Sequence, residues 1–420
     1  MILIVGAGLS GLACATELHR RGIPFLLLDA AENPGGRLRT SICEGFTLDH
    51  GFQVILSSYD AVSQATDISE LQPRYFEAGA LMHFEGRFHH VSNPLRHPES
   101  AWEAVKSEAF SFRDKCLLLR LGAQILLTSD ASLLSRCKSP LDLSTHDFLK
   151  KFGFSAEFIS RFAEPFFGGV FLDADLTTSA GLFLYYLKKF TLGRAWLPAR
   201  GVAELPKHIA AKLPQNSFRL QAKVESIEFN DARATGVVLI NGEHIAADAI
   251  VLALDEPSLC SLLKRPAPNS VRSVAVVYFK TQSSLYNRPC LVLPQSRNSR
   301  IHHFTQVTNV APEFAPLGWH LISASVLNFL DVSEAQLIEE VKKEIGAIFP
   351  NATKDLTHIA TITVPYAVPD QPPRFAARNR FENLPKGVYA SGDWSNGASI
   401  QAALTSGQQT ARTLLKDLSE

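Results

Sequence analysis

The chain opens on four apolar residues, Ile2–Val5, with no polar position among them, the pattern of a strand buried on both faces. A glycine-rich hexad follows, then a run from Leu12 to Arg21 with helical character that Gly22 stops. Phe25–Leu28 is a second apolar strand and ends at Asp29. Strand, turn, helix and strand in this order predict a βαβ unit with parallel pairing. Later the period changes. "QAKVESIEF" (221–229) and "ATGVVLINGEHIAADAIVLALD" (234–255) alternate like strands, with Asn241-Gly242 as a hairpin turn, and predict a small sheet added to the βαβ core. "GVYASGD" (387–393) reads as a further strand, followed by a helix from about Ser399 to Leu415.

The stretch from 148 to 190 is patterned differently. It holds Phe148, Phe152, Phe154, Phe158, Phe162, Phe166, Phe167, Phe171, Phe183 and Phe190, several of them four apart, which marks an apolar helix face. Two readings follow: a packed helical core, or an aromatic-lined tunnel for a bulky apolar substrate. The run "FRDKCLLLRLGAQILL" (112–127) reads as a buried helix or as an amphipathic one that touches a membrane. Its apolar part is short and interrupted by Arg120 and Gln124, well below the ~20 apolar residues a spanning helix needs.

Composition narrows the partners. The 420 residues are 46% hydrophobic and 20% charged, ordinary for a folded chain with a large core, and the length suggests two domains. Lys+Arg and Asp+Glu are both 41, so there is no basic excess of the kind a nucleic-acid binder shows. The cysteines at 14, 43, 116, 137, 260 and 290 share no zinc or redox spacing and read as scattered small hydrophobes in a reducing compartment. The apolar start lacks a basic leader, which gives a cytoplasmic reading and leaves peripheral membrane contact open.

The hexad Gly6-Ala7-Gly8-Leu9-Ser10-Gly11 sits where a strand meets a helix. There Gly6 permits the tight turn, Gly8 lets backbone approach a pyrophosphate, and Gly11 allows close helix–strand packing. Asp29, followed by Ala30, is placed to accept hydrogen bonds from an adenosine ribose, and its charge opposes a 2′-phosphate. Gly35-Gly36-Arg37 offers close backbone approach plus a charged donor for phosphate oxygens. "ASGDWSNGASIQAALTSGQQT" (390–410) adds a Gly-Asp turn and a second helix N-terminus, suited to anions.

These pieces, with Asp49-His50-Gly51, "LPARGVAELPKHIAAKL" (197–213), "KVESIEF" (223–229) and "ADAIVLALD" (247–255), resemble the flavin-containing amine oxidase superfamily. That group includes monoamine oxidases, protoporphyrinogen oxidases and carotenoid desaturases. The resemblance implies an α/β fold in which a Rossmann-type FAD-binding domain is assembled from residues 1–79, 197–255 and 385–420. An α+β substrate domain, 80–196 and 256–384, is inserted between them. It also implies roles. Gly36 and Arg37 approach the cofactor phosphates, and Gly51, Phe52 and Gln53 lie near the flavin ring. Val224 meets the adenine through its backbone. Gly392 and Asp393 serve the ribityl–phosphate region, and Ser399 and Ile400 the isoalloxazine. Residues 291–420 hold no cysteine for covalent attachment, so the FAD is expected to be non-covalent; His50 is a weak alternative point of linkage.

On the substrate side, alignment of the strand ending "YFK" puts Val274 where amine oxidases carry a lysine, and Gln401-Ala402 stand where many desaturases have Glu-Gly. His302, His303, Tyr366 and Trp394 are candidates for a flavin-facing pocket. No catalytic side chain and no metal site is assigned. The expected function is hydride transfer from a bulky apolar substrate to flavin, in the manner of a carotenoid desaturase or isomerase, with oxygen or a quinone as acceptor. Oxidation of an amine or porphyrinogen, and a flavin-stabilised binding role without turnover, remain as alternatives.

Overall fold

The computed structural model describes residues 1–92, 110–268, 270–294, 299–350, 355–377, 381 and 383–419. At its centre lies a five-stranded sheet in the spatial order Phe218–Arg219, Phe25–Leu28, Ile2–Val5, Ala249–Leu252, Val388–Ala390. Every pairing in it is parallel. Ile2–Val5 and Ala249–Leu252 are buried throughout, as continuous apolar runs require when helices cover both faces. The first strand therefore sits in the middle of a sheet whose edge is supplied by residues from the other end of the sequence.

The helix Leu9–Arg20 starts earlier than the periodicity suggested. Gly8 has an extended backbone and its carbonyl accepts the Leu12 N–H at 2.9 Å, so the first helical turn is built inside the glycine loop. This helix packs against Ile400–Ser419, which continues four residues past the expected end at Leu415 because nothing in its polar tail breaks it. The two helices approach closely at Gly407, where an added Cβ would lie 2.0 Å from the Ser10 carbonyl oxygen. The alternating segments form the antiparallel sheet Val224–Asn230, Arg233–Leu239, His244–Ala246, with Gly242 at φ +82° in its turn. The last alternating run, Ala249–Leu252, joins the parallel sheet instead.

A seven-stranded mixed sheet forms a second layer, in the order Thr357–Pro369, Val271–Thr281, His320–Val326, Ile301–Gln306, Leu291–Pro294, Gly79–Phe84, Arg87–Ser92. Its second strand, Val271–Thr281, shows the period of two. Ala275, Val277 and Phe279 pack with Leu337, Val341 and Ile345 of the helix Glu334–Ile348, while Val274, Val276 and Tyr278 face the main core. Beyond that face lie the helices Phe112–Leu127, Thr145–Phe152, Glu164–Phe171 and Ala180–Leu192. Phe152, Phe154, Phe158, Phe162 and Phe166 touch ring to ring in sequence. Just before Glu164 the helix widens to a π-turn at Ile159–Ala163, which re-aims the residues that follow. Among the described residues no single helix is long and apolar enough to cross a membrane.

Candidate functional site

The C-terminal ends of the parallel strands, the inner face of the seven-stranded sheet and the phenylalanine-rich helices enclose a cavity of about 1890 Å³. Ordinary ligand pockets hold roughly 300–1,000 Å³, so this one has room for a large cofactor and a substrate together. It lies where ligands bind in open parallel sheets, beyond the carboxyl ends of the strands.

The three glycines of the first loop are needed for different reasons. Gly6 has φ +106°, and a Cβ there would meet the Ala253 carbonyl oxygen at 2.3 Å. At Gly11 a Cβ would lie 1.8 Å from the Gly6 carbonyl oxygen, so the helix rests directly on the turn. Gly8 is different: its φ is ordinary at −70°, and the nearest atom to an added Cβ is the Gly36 Cα at 3.9 Å. Among the described residues nothing requires glycine at this position. It lies against Gly36, which has φ +60° and where an added Cβ would come 3.2 Å from the Gly8 Cα, and both line the cavity.

Asp29 ends its strand with both carboxylate oxygens in use. Oδ2 accepts the Ala7 N–H at 2.6 Å and Oδ1 the Ala31 N–H at 2.7 Å, which fixes the carboxylate while leaving further lone pairs. Arg37 is tied to two partners within the protein. Its guanidinium donates to Asp393 Oδ1 at 2.6 Å and to the Ala367 carbonyl at 2.9 Å, and lies over the Tyr366 ring. Burial works against the Arg37 charge, but Asp393 outweighs it and holds the guanidinium protonated above its usual range. The pair joins the Gly35–Gly36 turn to the Gly392–Asp393 turn.

Gly51 has φ +88°, and beside it Gln53 Nε2 donates to the carbonyls of Arg37 and His50, tying the two loops together. Phe52 sits edge-on to Phe76 and to His303. Ile400 opens the long helix, so its N–H is one of the donors with no partner inside that helix. Ser399 precedes it and its Oγ accepts the Ala402 N–H, near the phenols of Tyr59 and Tyr186, whose burial keeps both protonated far above neutrality. Of the expected cofactor residues, Gly6, Gly8, Leu9, Ser10, Asp29, Ala30, Gly36, Arg37, Gly51, Phe52, Gln53, Val224, Gly392, Asp393, Ser399 and Ile400 all line the cavity. Ala7 and Gly11 lie behind its wall.

The candidate substrate residues divide. His303, Tyr366 and Val274 line the cavity. His302 turns to the backbone of Glu164, and its Nε2 would meet a Cβ at Gly168 at 2.8 Å. Trp394 faces outward, donating from Nε1 to the Leu254 carbonyl and packing on Phe381. It lies so close over Gly392 that a side chain there would collide with it at 2.1 Å. Of the phenylalanine run, Phe162, Phe166, Phe167 and Phe190 line the cavity while Phe154, Phe158, Phe171 and Phe183 are buried elsewhere, so core and aromatic wall coexist. Tyr59, Tyr186 and the Gly168-Gly169 pair were not singled out from sequence. The double glycine in "FFGGVF" carried a local signal; the tyrosines carried none.

Among the described residues no cluster of His, Cys, Asp and Glu has metal-binding geometry. Asp49, buried beneath Gly201, accepts Thr40 Oγ1 and the Val202 N–H; burial nevertheless pushes its carboxyl up to about 6.

Residues 9–415 match the family profile described as flavin containing amine oxidoreductase. A zeta-carotene-forming phytoene desaturase of Myxococcus xanthus is 26% identical over 299 residues, covering 64% of this chain and 56% of that protein. A phytoene dehydrogenase of Streptomyces griseus is 27% identical over 285 residues, covering 63% and 56%. The chain thus spans about half the length of the curated relatives it matches. Among solved structures, a putative protoporphyrinogen oxidase from Exiguobacterium sp. 255-15 superposes with TM-score 0.74 at 17% identity, over 100% of this chain and 99% of that one. Wild-type putrescine oxidase bound to putrescine superposes with TM-score 0.69 at 17% identity, over 99% and 98%. At such identities the likeness carries the fold alone. With nearly its whole length matched by the profile, the chain belongs to the flavin containing amine oxidoreductase family.

Proposed function

We propose that this protein is an FAD-dependent oxidoreductase that removes hydride from a bulky, mainly apolar substrate, in the manner of the carotenoid desaturases it resembles. The observation that carries the reading is one continuous cavity, which runs from the glycines Gly8 and Gly36 to a wall formed by Phe162, Phe166 and Phe190. A dinucleotide at one end and an apolar molecule at the other fill it in a way that neither does alone.

The residues fit FAD. Among the described residues nothing explains the lack of a side chain at Gly8, which is the mark of a place where a ligand passes. Asp29 would take the adenosine ribose, Val224 the adenine, and Gly36 with the Gly392–Asp393 turn the pyrophosphate and ribityl chain. Arg37, held by Asp393, would lend positive charge from beside the phosphates. Gly51, Phe52 and Gln53 would flank the flavin ring, and the free Ile400 N–H would donate to it. Binding is proposed as non-covalent, since His50 Nε2 is engaged with Ser41 Oγ and no cysteine lies in 291–420. Bound flavin supplies a two-electron acceptor, later reoxidised by oxygen or a quinone. The chain's part is to orient the substrate and exclude water. Val274, where amine oxidases carry a lysine, is buried and apolar, which suits a hydrocarbon donor better than an amine.

The test is the visible spectrum of the purified protein. Flavin bands that bleach without oxygen on addition of phytoene in detergent, and stay unchanged with putrescine, are expected. Failure to bind flavin, or bleaching by putrescine alone, would refute the reading.

A further inference from the structure

Two polar side chains in the cavity wall have no part in the mechanism above. His303 and Ser325 are cross-strand partners in the seven-stranded sheet, and both line the cavity. Residues directly opposite on antiparallel strands place their Cβ atoms roughly 4.5–5.5 Å apart on one face. They end a row that crosses the sheet through Ile362 and Val276, both apolar. His303 is 5% exposed and Ser325 1%, and neither His303 Nε2 nor Ser325 Oγ has a hydrogen-bond partner among the described residues. The site is also built around the imidazole. Phe52 packs edge-on to it at 5.1 Å, and Gly169 makes room for it, since a Cβ there would lie 2.8 Å from His303 Nδ1.

We propose that His303 and Ser325 form a polar anchor that selects substrates bearing a hydroxyl or carbonyl oxygen on an otherwise apolar skeleton. The inference rests on the oxidoreductase reading above and narrows its substrate class. Burial holds His303 down to about 3, with His302 adding a smaller push in the same direction, so the imidazole is neutral at physiological pH. A neutral imidazole and a hydroxyl can each donate or accept, which suits either oxygen function. A pure hydrocarbon leaves both groups unpaired in an apolar chamber. Sites built to bond a substrate oxygen reject analogues that lack it far more strongly than apolar pockets discriminate by size.

A matched pair of acyclic forty-carbon polyenes tests this: neurosporene, a hydrocarbon, and its 1-hydroxy derivative, both in detergent micelles. Binding to the FAD-loaded protein is followed by the circular dichroism induced in the polyene band, a readout independent of turnover. The wild type is expected to bind the hydroxylated polyene at least about tenfold more tightly. His303→Phe, which keeps an aromatic ring, and Ser325→Ala should each shrink that preference by weakening the hydroxylated ligand alone, while His303→Gln should retain part of it. Equal affinity of the wild type for the two polyenes would overturn the proposal whatever the variants do. So would a preference that survives in the His303→Phe, Ser325→Ala double variant, or a loss confined to FAD affinity. Flavin bleaching is scored in the same samples. Selective binding without bleaching sustains the anchor and sinks the redox reading; bleaching by both polyenes at equal affinity does the reverse. If neither binds, both fall.

Discussion

Replacing each of the three loop glycines by alanine separates what the fold needs from what a ligand needs. Gly11→Ala places a methyl 1.8 Å from the Gly6 carbonyl oxygen, so the helix Leu9–Arg20 must lift by more than an ångström from the turn it rests on. Overpacking of this severity costs about 3 kcal/mol or more. Gly6→Ala adds a clash at 2.3 Å to a backbone at φ +106°, and the backbone strain alone is about 1–3 kcal/mol. Gly8→Ala meets nothing closer than 3.9 Å at an ordinary φ, so only the weaker helix-capping preference is lost, at most about 1 kcal/mol. Thermal melting of flavin-free protein should then show Gly8→Ala within about 1 °C of wild type and the other two clearly lower, by about 3 °C or more. Titration with FAD, followed by quenching of flavin fluorescence, should invert the ranking for Gly8→Ala. The methyl is added to the cavity wall beside Gly36 and should weaken FAD at least tenfold, about 1.4 kcal/mol. The reasoning fails if flavin-free Gly8→Ala melts as low as Gly11→Ala, or if it binds FAD like the wild type.

Asp49 gives a pH signature. Its carboxyl is raised to about 6 in the fold against an unperturbed 3.8, so the folded state holds its proton longer than the unfolded one. Its contribution is therefore most favourable below pH 4 and is lost as pH rises through 6, by about 3 kcal/mol at most. Asp49→Asn keeps an acceptor for Thr40 and Val202 and should flatten the decline in urea-unfolding free energy between pH 4 and 7; an unchanged slope would count against it. Trp394→Phe removes the hydrogen bond to the Leu254 carbonyl and part of the ring packed on Phe381, so a stability loss of about 1–3 kcal/mol with unaltered flavin reduction is expected. Altered reduction rates in Trp394→Phe at full flavin occupancy would mean that the ring acts on the cavity after all.

What could be read from sequence was what local chemistry dictates. The strand Ile2–Val5, the glycine hexad and Asp29 announce themselves because turn, helix packing and ligand approach each demand particular residues at fixed spacing. The alternating segments gave the antiparallel sheet for the same reason, since burial on one face imposes a period of two. Arg37 shows where such reading stops. Its position near the cavity followed from its neighbours, but its partner Asp393 lies 356 residues away, and only the packed structure chooses between an ion pair and a free donor. Trp394 and His303 make the same point from opposite sides. Both are large polar-edged rings on short elements, and which one faces the cavity depends on the Leu254 carbonyl in one case and on Gly169 in the other. The phenylalanine repeat indicated an apolar helix face, yet that period does not tell a core from a cavity wall: Phe166 and Phe167 line the cavity while Phe171, one turn on, is buried away from it.

The sheet order also constrains how this protein comes into being. Ile2–Val5 pairs early in synthesis with Phe25–Leu28, but the edge strand Val388–Ala390 and the helix that seats Gly407 on Ser10 emerge hundreds of residues later. At roughly 5–20 residues per second, the glycine loop waits on the order of half a minute or more with its covering helix still unmade. During that interval the buried faces of Leu12 and Ala13 have no partner from Leu404 and Ala411. The site can close around a cofactor only once both the glycine loop and the helix Ile400–Ser419 have been made.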